Sequence, residues 1–197
     1  MIILIAGAKS NSGKTTLVRI LLTTFKGRFS ALKITPSTHY GEGVLGYKQK
    51  EGLFSCIKED ENKLYEEGKD TYFFIKDGAK SVFWVRGEKA KLKELLDCTL
   101  KEAEGDLLVE GNSFIDYKEP DLMFFTQNET ETPKENALLL KNRADIIVVN
   151  TLSNNYIYNK DTIIVNLQYA LKDCEHPFRL DLIKIVKDKL YSIRSSI

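Results

Sequence analysis

The stretch IAGAKSNSGKTTL, residues 5–17, decides how the rest of the chain is read. A short apolar run, IILIA (2–6), leads into it. A segment of helical spacing follows, with Leu17, Ile20, Leu21 and Phe25 on one stripe until Gly27. Strand, tight turn, then amphipathic helix is the setting in which G-x-x-x-x-G-K-[ST] holds phosphate. Ala8 stands where that pattern has its first glycine, and Gly7 just before it supplies flexibility. The backbone N–H groups of Ser10, Asn11, Ser12 and Gly13 are then expected to cradle phosphates, aided by the positive end of the helix dipole. Gly13 allows close backbone approach. Lys14 is expected to reach the terminal phosphates, Thr15 to ligate Mg²⁺ through its hydroxyl, and Thr16 to donate to the α-phosphate. The competing reading is a Gly/Ser-rich turn that holds nothing.

Lys9 lies five residues before Lys14. Variant loops of the form KGGxGKT carry a second lysine at this spacing, and there it reaches a phosphate across a dimer interface. That pattern makes Lys9 a catalytic candidate acting from a neighbouring subunit. The plainer reading is a solvated surface lysine.

Working outward, strand-length apolar runs alternate with helical periods. SALKIT (30–35) ends at Pro36, and the polar stretch from 36 to about 67 reads as loop with short helices. GKDTYFFIKDGA (68–79) reads as a short helix running into the strand KSVFWVRG (80–87). An amphipathic face covers 88–104, and DLLVEG (106–111), DLMFFT (121–126), ADIIVVN (144–150) and TIIVNL (162–167) are further strands. A last helix spans about 178–193. Strands apolar throughout and alternating with helices predict an α/β fold with a mainly parallel, roughly seven-stranded sheet. With the loop motif, this is the pattern of a three-layer P-loop NTPase fold in a single domain, 1–197.

Net charge is only +1, so no basic field points to nucleic acid or a membrane surface. The longest apolar runs are far below a membrane span. Cys56, Cys98 and Cys174 are odd in number and scattered, which predicts three reduced, mostly buried thiols and a cytoplasmic protein.

Ligands of parallel α/β sheets sit beyond the carboxyl ends of the strands. That rule selects Glu110, at the end of DLLVE, to hold Mg²⁺ directly or through water, or to orient an attacking water. Asp106 starts the same strand and is expected to do no chemistry. Asn150 ends a late strand and is a candidate to read a purine base. Asn150-Thr151-Leu152-Ser153 lacks the lysine and aspartate of N-K-x-D, so no guanine preference is written there. Lys33 and Thr35 at the end of the second strand, with His39 and Glu42 after it, are further candidates. His176 before Pro177 reads as a turn residue, and Asp70 as a helix N-cap or a site carboxylate.

Taken together, SNSGKTTLVRIL, LKITPSTH, GKDTYFFIKDGAKSVFWV and DLLVEGNS resemble the molybdopterin-guanine dinucleotide biosynthesis protein B (MobB) family, over about residues 1–125. More broadly they are similar to the group of dethiobiotin synthetase and the metal-insertion GTPases. The resemblance implies GTP binding with Mg²⁺, slow hydrolysis and a homodimer assisting attachment of a nucleotide to molybdopterin. It places Lys14 and Thr15 at the phosphate and magnesium positions, Glu110 at the acidic strand end, and Asp70 at the GKD position as a further metal candidate. The chain departs from the family's K-H-x-x-H after the second strand and from its E-G-[FY]-K. Two alternatives stand beside this reading. One is an ATP-dependent small-molecule kinase or ligase of the dethiobiotin-synthetase type. The other is a nucleotide-gated dimerisation module with little hydrolysis.

Overall fold

The computed structural model describes residues 1–36, 43–48, 64 and 66–195. His39, Glu42 and Cys56 lie outside them. The described strands are β1 (Ile2–Gly7), β2 (Phe29–Thr35), β3 (Gly43–Lys48), β4 (Ser81–Arg86), β5 (Asp106–Glu110), β6 (Leu122–Asn128), β7 (Ile146–Asn150), β8 (Ile157–Asn159) and β9 (Thr162–Val165). They form one sheet in the order β3-β4-β2-β5-β1-β6-β7-β9-β8. The run from β4 to β9 is parallel throughout, and β3 and β8 are antiparallel strands added at the two edges. The sheet is therefore nine-stranded rather than seven-stranded. The seven expected strands are its parallel part, and the two additions are the edges.

The helices are α1 (Lys14–Thr24), α2 (Asp70–Lys76), α3 (Lys89–Glu102), α4 (Glu135–Arg143), α5 (Leu167–Lys172) and α6 (Pro177–Arg194). Side chains alternate along each strand, so β1 sends Ile3 and Ile5 to one face and Leu4 and Ala6 to the other. The first face is covered by Leu17, Leu21, Phe74, Phe178 and Leu182, from α1, α2 and α6. The second is covered by Leu92, Leu96, Ala137 and Leu140, from α3 and α4. Helices thus flank a sheet buried on both faces, which explains why its strands read as unbroken apolar runs.

The segment read as loop after residue 36 contains β3, paired antiparallel with β4. Asp70 is the first residue of α2, and its N-cap is Lys69. His176 is the N-cap of α6, its Nδ1 accepting from the Phe178 N–H at 3.2 Å. Asp106 holds the Met1 ammonium (2.8 Å) and Arg28 (2.7 Å) at the edge away from the strand ends. The expectation of three reduced, buried thiols is corrected: Cys98 is disulfide-bonded, and Cys174 is free but exposed. No helix among the described residues is long and apolar enough to cross a membrane.

Candidate functional site

Parallel pairing puts the ends of β1, β2, β5, β6 and β7 on one edge, and the turn from β1 to α1 lies at its centre. The chain goes to one side of β1 for β2 and to the other for β6, which opens a crevice there. A cleft of about 500 Å³ occupies this place. It is lined by Ser10, Asn11, Gly13, Lys14, Thr15 and Thr16 from the turn and α1, with Lys33, Asp70, Glu110 and Asn150 around them.

The turn is held from both sides. Asn112, just after β5, accepts from the Gly7 N–H and donates to the Gly7 carbonyl, both at 2.9 Å. On the other flank the Ala8 N–H donates to the Thr126 carbonyl at 2.9 Å. The Ser12 hydroxyl, fully buried, lies 3.0 Å from the Lys9 carbonyl and 3.1 Å from the Thr126 hydroxyl. Ser12 therefore pins the turn through its side chain and has only its N–H left for a ligand. Ala8 is buried in the second core, so the methyl group that replaces the pattern's glycine is a packing element. The left-handed positions are instead Asn11 (φ 62°) and Gly13 (φ 96°).

That backbone leaves a row of donors. Among the described residues, no backbone N–H from Lys9 to Thr16 has an acceptor. Successive free N–H groups at a left-handed turn opening a helix form an anion-binding concavity.

Below the turn, the Thr15 hydroxyl lies 2.9 and 3.1 Å from the two Glu110 carboxylate oxygens. Lys14 folds back so that its ammonium donates to the Lys9 carbonyl at 2.7 Å. Burial lowers the Lys14 pKa; Glu110 pulls it back up and Lys33 pushes it further down. Lys33 is lowered the same way, by burial first, against Glu110 and with Lys69. Lys33 also forms an ion pair with Asp70 across the cleft wall. Two desolvated cations and a Thr–carboxylate pair thus meet at one end of the cleft.

Three candidates are engaged elsewhere. The Lys9 ammonium sits 3.0 Å from Glu131 Oε1, and its side chain is 55% exposed and not part of the cleft lining. The Glu131 carboxylate is nearly sealed from solvent; the contact is an ion pair by distance without the alignment of a hydrogen bond. Asn150 lines the cleft, but its Oδ1 accepts from the Leu167 N–H (3.1 Å) and its Nδ2 donates to Asn128 (3.0 Å). Thr16 accepts from Gln168 at 3.3 Å. No group of three or more His, Cys, Asp or Glu residues able to hold a metal is present among the described residues.

Residues that the sequence reading passed over complete the site. Asn112 and Glu131 brace the turn, and Arg19, Phe73 and Gln168 line the cleft. Arg19 and Phe73 carried a faint signal: Thr15 and Arg19 are four apart on α1, and Asp70, Phe73 and Asp77 share one helical stripe. No family model, curated protein or solved structure matches the chain.

Proposed function

We propose that the chain binds a nucleoside triphosphate with Mg²⁺ in this cleft and hydrolyses it slowly. The observation that carries the reading is the row of acceptor-free N–H groups from Lys9 to Thr16, bordered by Lys14 and the Thr15–Glu110 pair. Such donors suit the non-bridging oxygens of a polyphosphate, and the Lys14 ammonium exchanges the Lys9 carbonyl for a phosphate oxygen. Thr15 and Glu110 fit Mg²⁺. The Thr15 hydroxyl, backed by the Glu110 carboxylate, would hold the metal, which when bound would supply neutralisation of the phosphate charge. Lys14 offsets that charge from the other side, and Glu110 orients the hydroxyl and nearby water. The resemblance to the molybdopterin-guanine dinucleotide biosynthesis protein B family supports GTP, a homodimer and a role in molybdenum cofactor assembly.

One observation favours a second reading. A further hollow of about 370 Å³ shares Ser10, Lys33 and Asp70 with the cleft and runs on past Thr35 and Trp84. It gives a phosphoryl acceptor room beside the terminal phosphate, as a small-molecule kinase or ligase requires.

Equilibrium dialysis of GTP and ATP against wild type and Lys14→Ala tests the proposal. Loss of one charge-assisted contact weakens triphosphate binding about 10- to 100-fold, with the circular dichroism spectrum unchanged. Unaltered affinity for both nucleotides in a folded variant means that the turn is structural. A phosphorylated small molecule formed with ATP moves the function to the kinase reading.

A further inference from the structure

Thr15 and Arg19 lie one turn apart on α1, Thr15 against Glu110 and Arg19 against α2. Helix α2 answers with Asp70, Phe73 and Asp77 on a single stripe. Asp70 pairs with Lys33. The Arg19 Nε donates to Asp77 at 2.7 Å, and its guanidinium carbon lies 4.0 Å from the Phe73 ring centroid. The guanidinium is thereby fixed in plane and in direction. Among the described residues its two terminal nitrogens make no hydrogen bond, although Arg19 and Phe73 both line the cleft.

Helical side chains lean toward the N-terminus, so a residue at position 19 covers the turn at positions 15 and 16. A solvated surface arginine needs neither an aromatic platform nor a carboxylate behind it. Stacking and rear pairing remove rotamer freedom that Arg otherwise loses on binding.

Resting on the nucleotide reading, we infer that Arg19 is a ligand-contacting residue, the third cation for the bound phosphate chain, aimed at the phosphate nearest the nucleoside. Lys14 serves the far end, and Arg19 lies one helical turn further along α1. Phe73 and Asp77 are its positioning residues.

The test compares Kd values of the full chain for GTP, ATP and inorganic tripolyphosphate, with Mg²⁺ present throughout. Arg19→Met is expected to weaken all three about tenfold, and Arg19→Lys, which keeps charge but not the fork, about threefold. Asp77→Ala separates contact from architecture, because it removes the α1–α2 tie and the aim of the fork but keeps the cation at the cleft. It is expected to weaken binding about threefold, less than Arg19→Met. If Asp77→Ala reproduces the full loss, Arg19 acts only as a tie between helices and the inference falls. It falls too if Arg19→Met binds like wild type, or weakens nucleotides while leaving tripolyphosphate untouched, which puts the contact on the nucleoside. Lys14→Ala is the control. If that variant retains affinity, the nucleotide reading itself fails, an outcome distinct from failure at Arg19.

Discussion

Replacing Gly7 by alanine drives one methyl group into the tightest point of the turn. A Cβ there would lie 2.4 Å from Ser12 Oγ, 2.7 Å from Thr126 Oγ1 and 3.0 Å from Lys14 Cγ. The two hydroxyls cannot swing aside freely, since both are buried and bonded to one another and to the Lys9 and Ala6 carbonyls. Overpacking of this kind costs about 1–3 kcal/mol, and displacing a buried hydroxyl forfeits about 1 kcal/mol more. The expected loss is about 2–4 kcal/mol, a fall in Tm of roughly 5–12 °C for a chain of this size. Denaturant melts and thermal scans measure it. Ser12→Ala removes the nearest obstructing atom, so the double variant Gly7→Ala/Ser12→Ala is expected to be no less stable than Gly7→Ala alone. Two single costs that simply add would refute the reasoning, because sites in van der Waals conflict must couple.

Glu110→Gln leaves Thr15 an acceptor but removes the charge. Triphosphate affinity measured with Mg²⁺ is expected to drop about tenfold, with the affinity in chelator unchanged. Asn150→Ala frees the Leu167 N–H and Asn128, which is expected to cost about 2 kcal/mol in denaturant melts. The ratio of ATP to GTP affinity should stay within about twofold, being the quantity that moves if Asn150 reads the base. The Asp106 pKa is lowered: burial pushes upward, but hydrogen bonds and charge from the Met1 ammonium and Arg28 override it. Its stabilisation is present above the ordinary carboxylate range and is lost as pH falls through the lowered value, so Asp106→Asn is expected to flatten the acid limb of a stability–pH profile. Lys14 and Lys33 act oppositely. Their charged forms are disfavoured in the fold, so stability rises as pH climbs from their lowered values toward 10.5, and Lys33→Met is expected to shrink that rise.

The strands buried on both faces were legible because their apolar runs leave no other reading. Helices α1, α3 and α6 were legible because each buries one stripe. Strand β3 was not, since Gly43 and Gly46 speak against a strand and only pairing with β4 makes one. Helix α4 was hidden by Leu138 and Leu139, exposed side chains that blur its periodicity. Within the site, the local residues Lys14, Thr15 and Glu110 follow from motif and strand end. Asn112 and Glu131 escaped because each reaches more than a hundred residues back to brace the turn, and no spacing encodes that. Lys9 and Asn150 carried attractive local patterns, but the neighbours that engage their side chains come from β6, α5 and the turn after β6.

The antiparallel strands at the two edges have a bearing beyond the site. A parallel sheet ended at β4 and β9 would present two rows of unpaired N–H and C=O groups, each a template for a foreign strand. Strand β8 covers one row and is three residues long, and β3 covers the other with two glycines in its length. The finished sheet therefore offers poor purchase for intermolecular pairing. The hazard moves to the interval before the two edge strands pair with β4 and β9, so conditions that slow their pairing are where this chain is expected to clump.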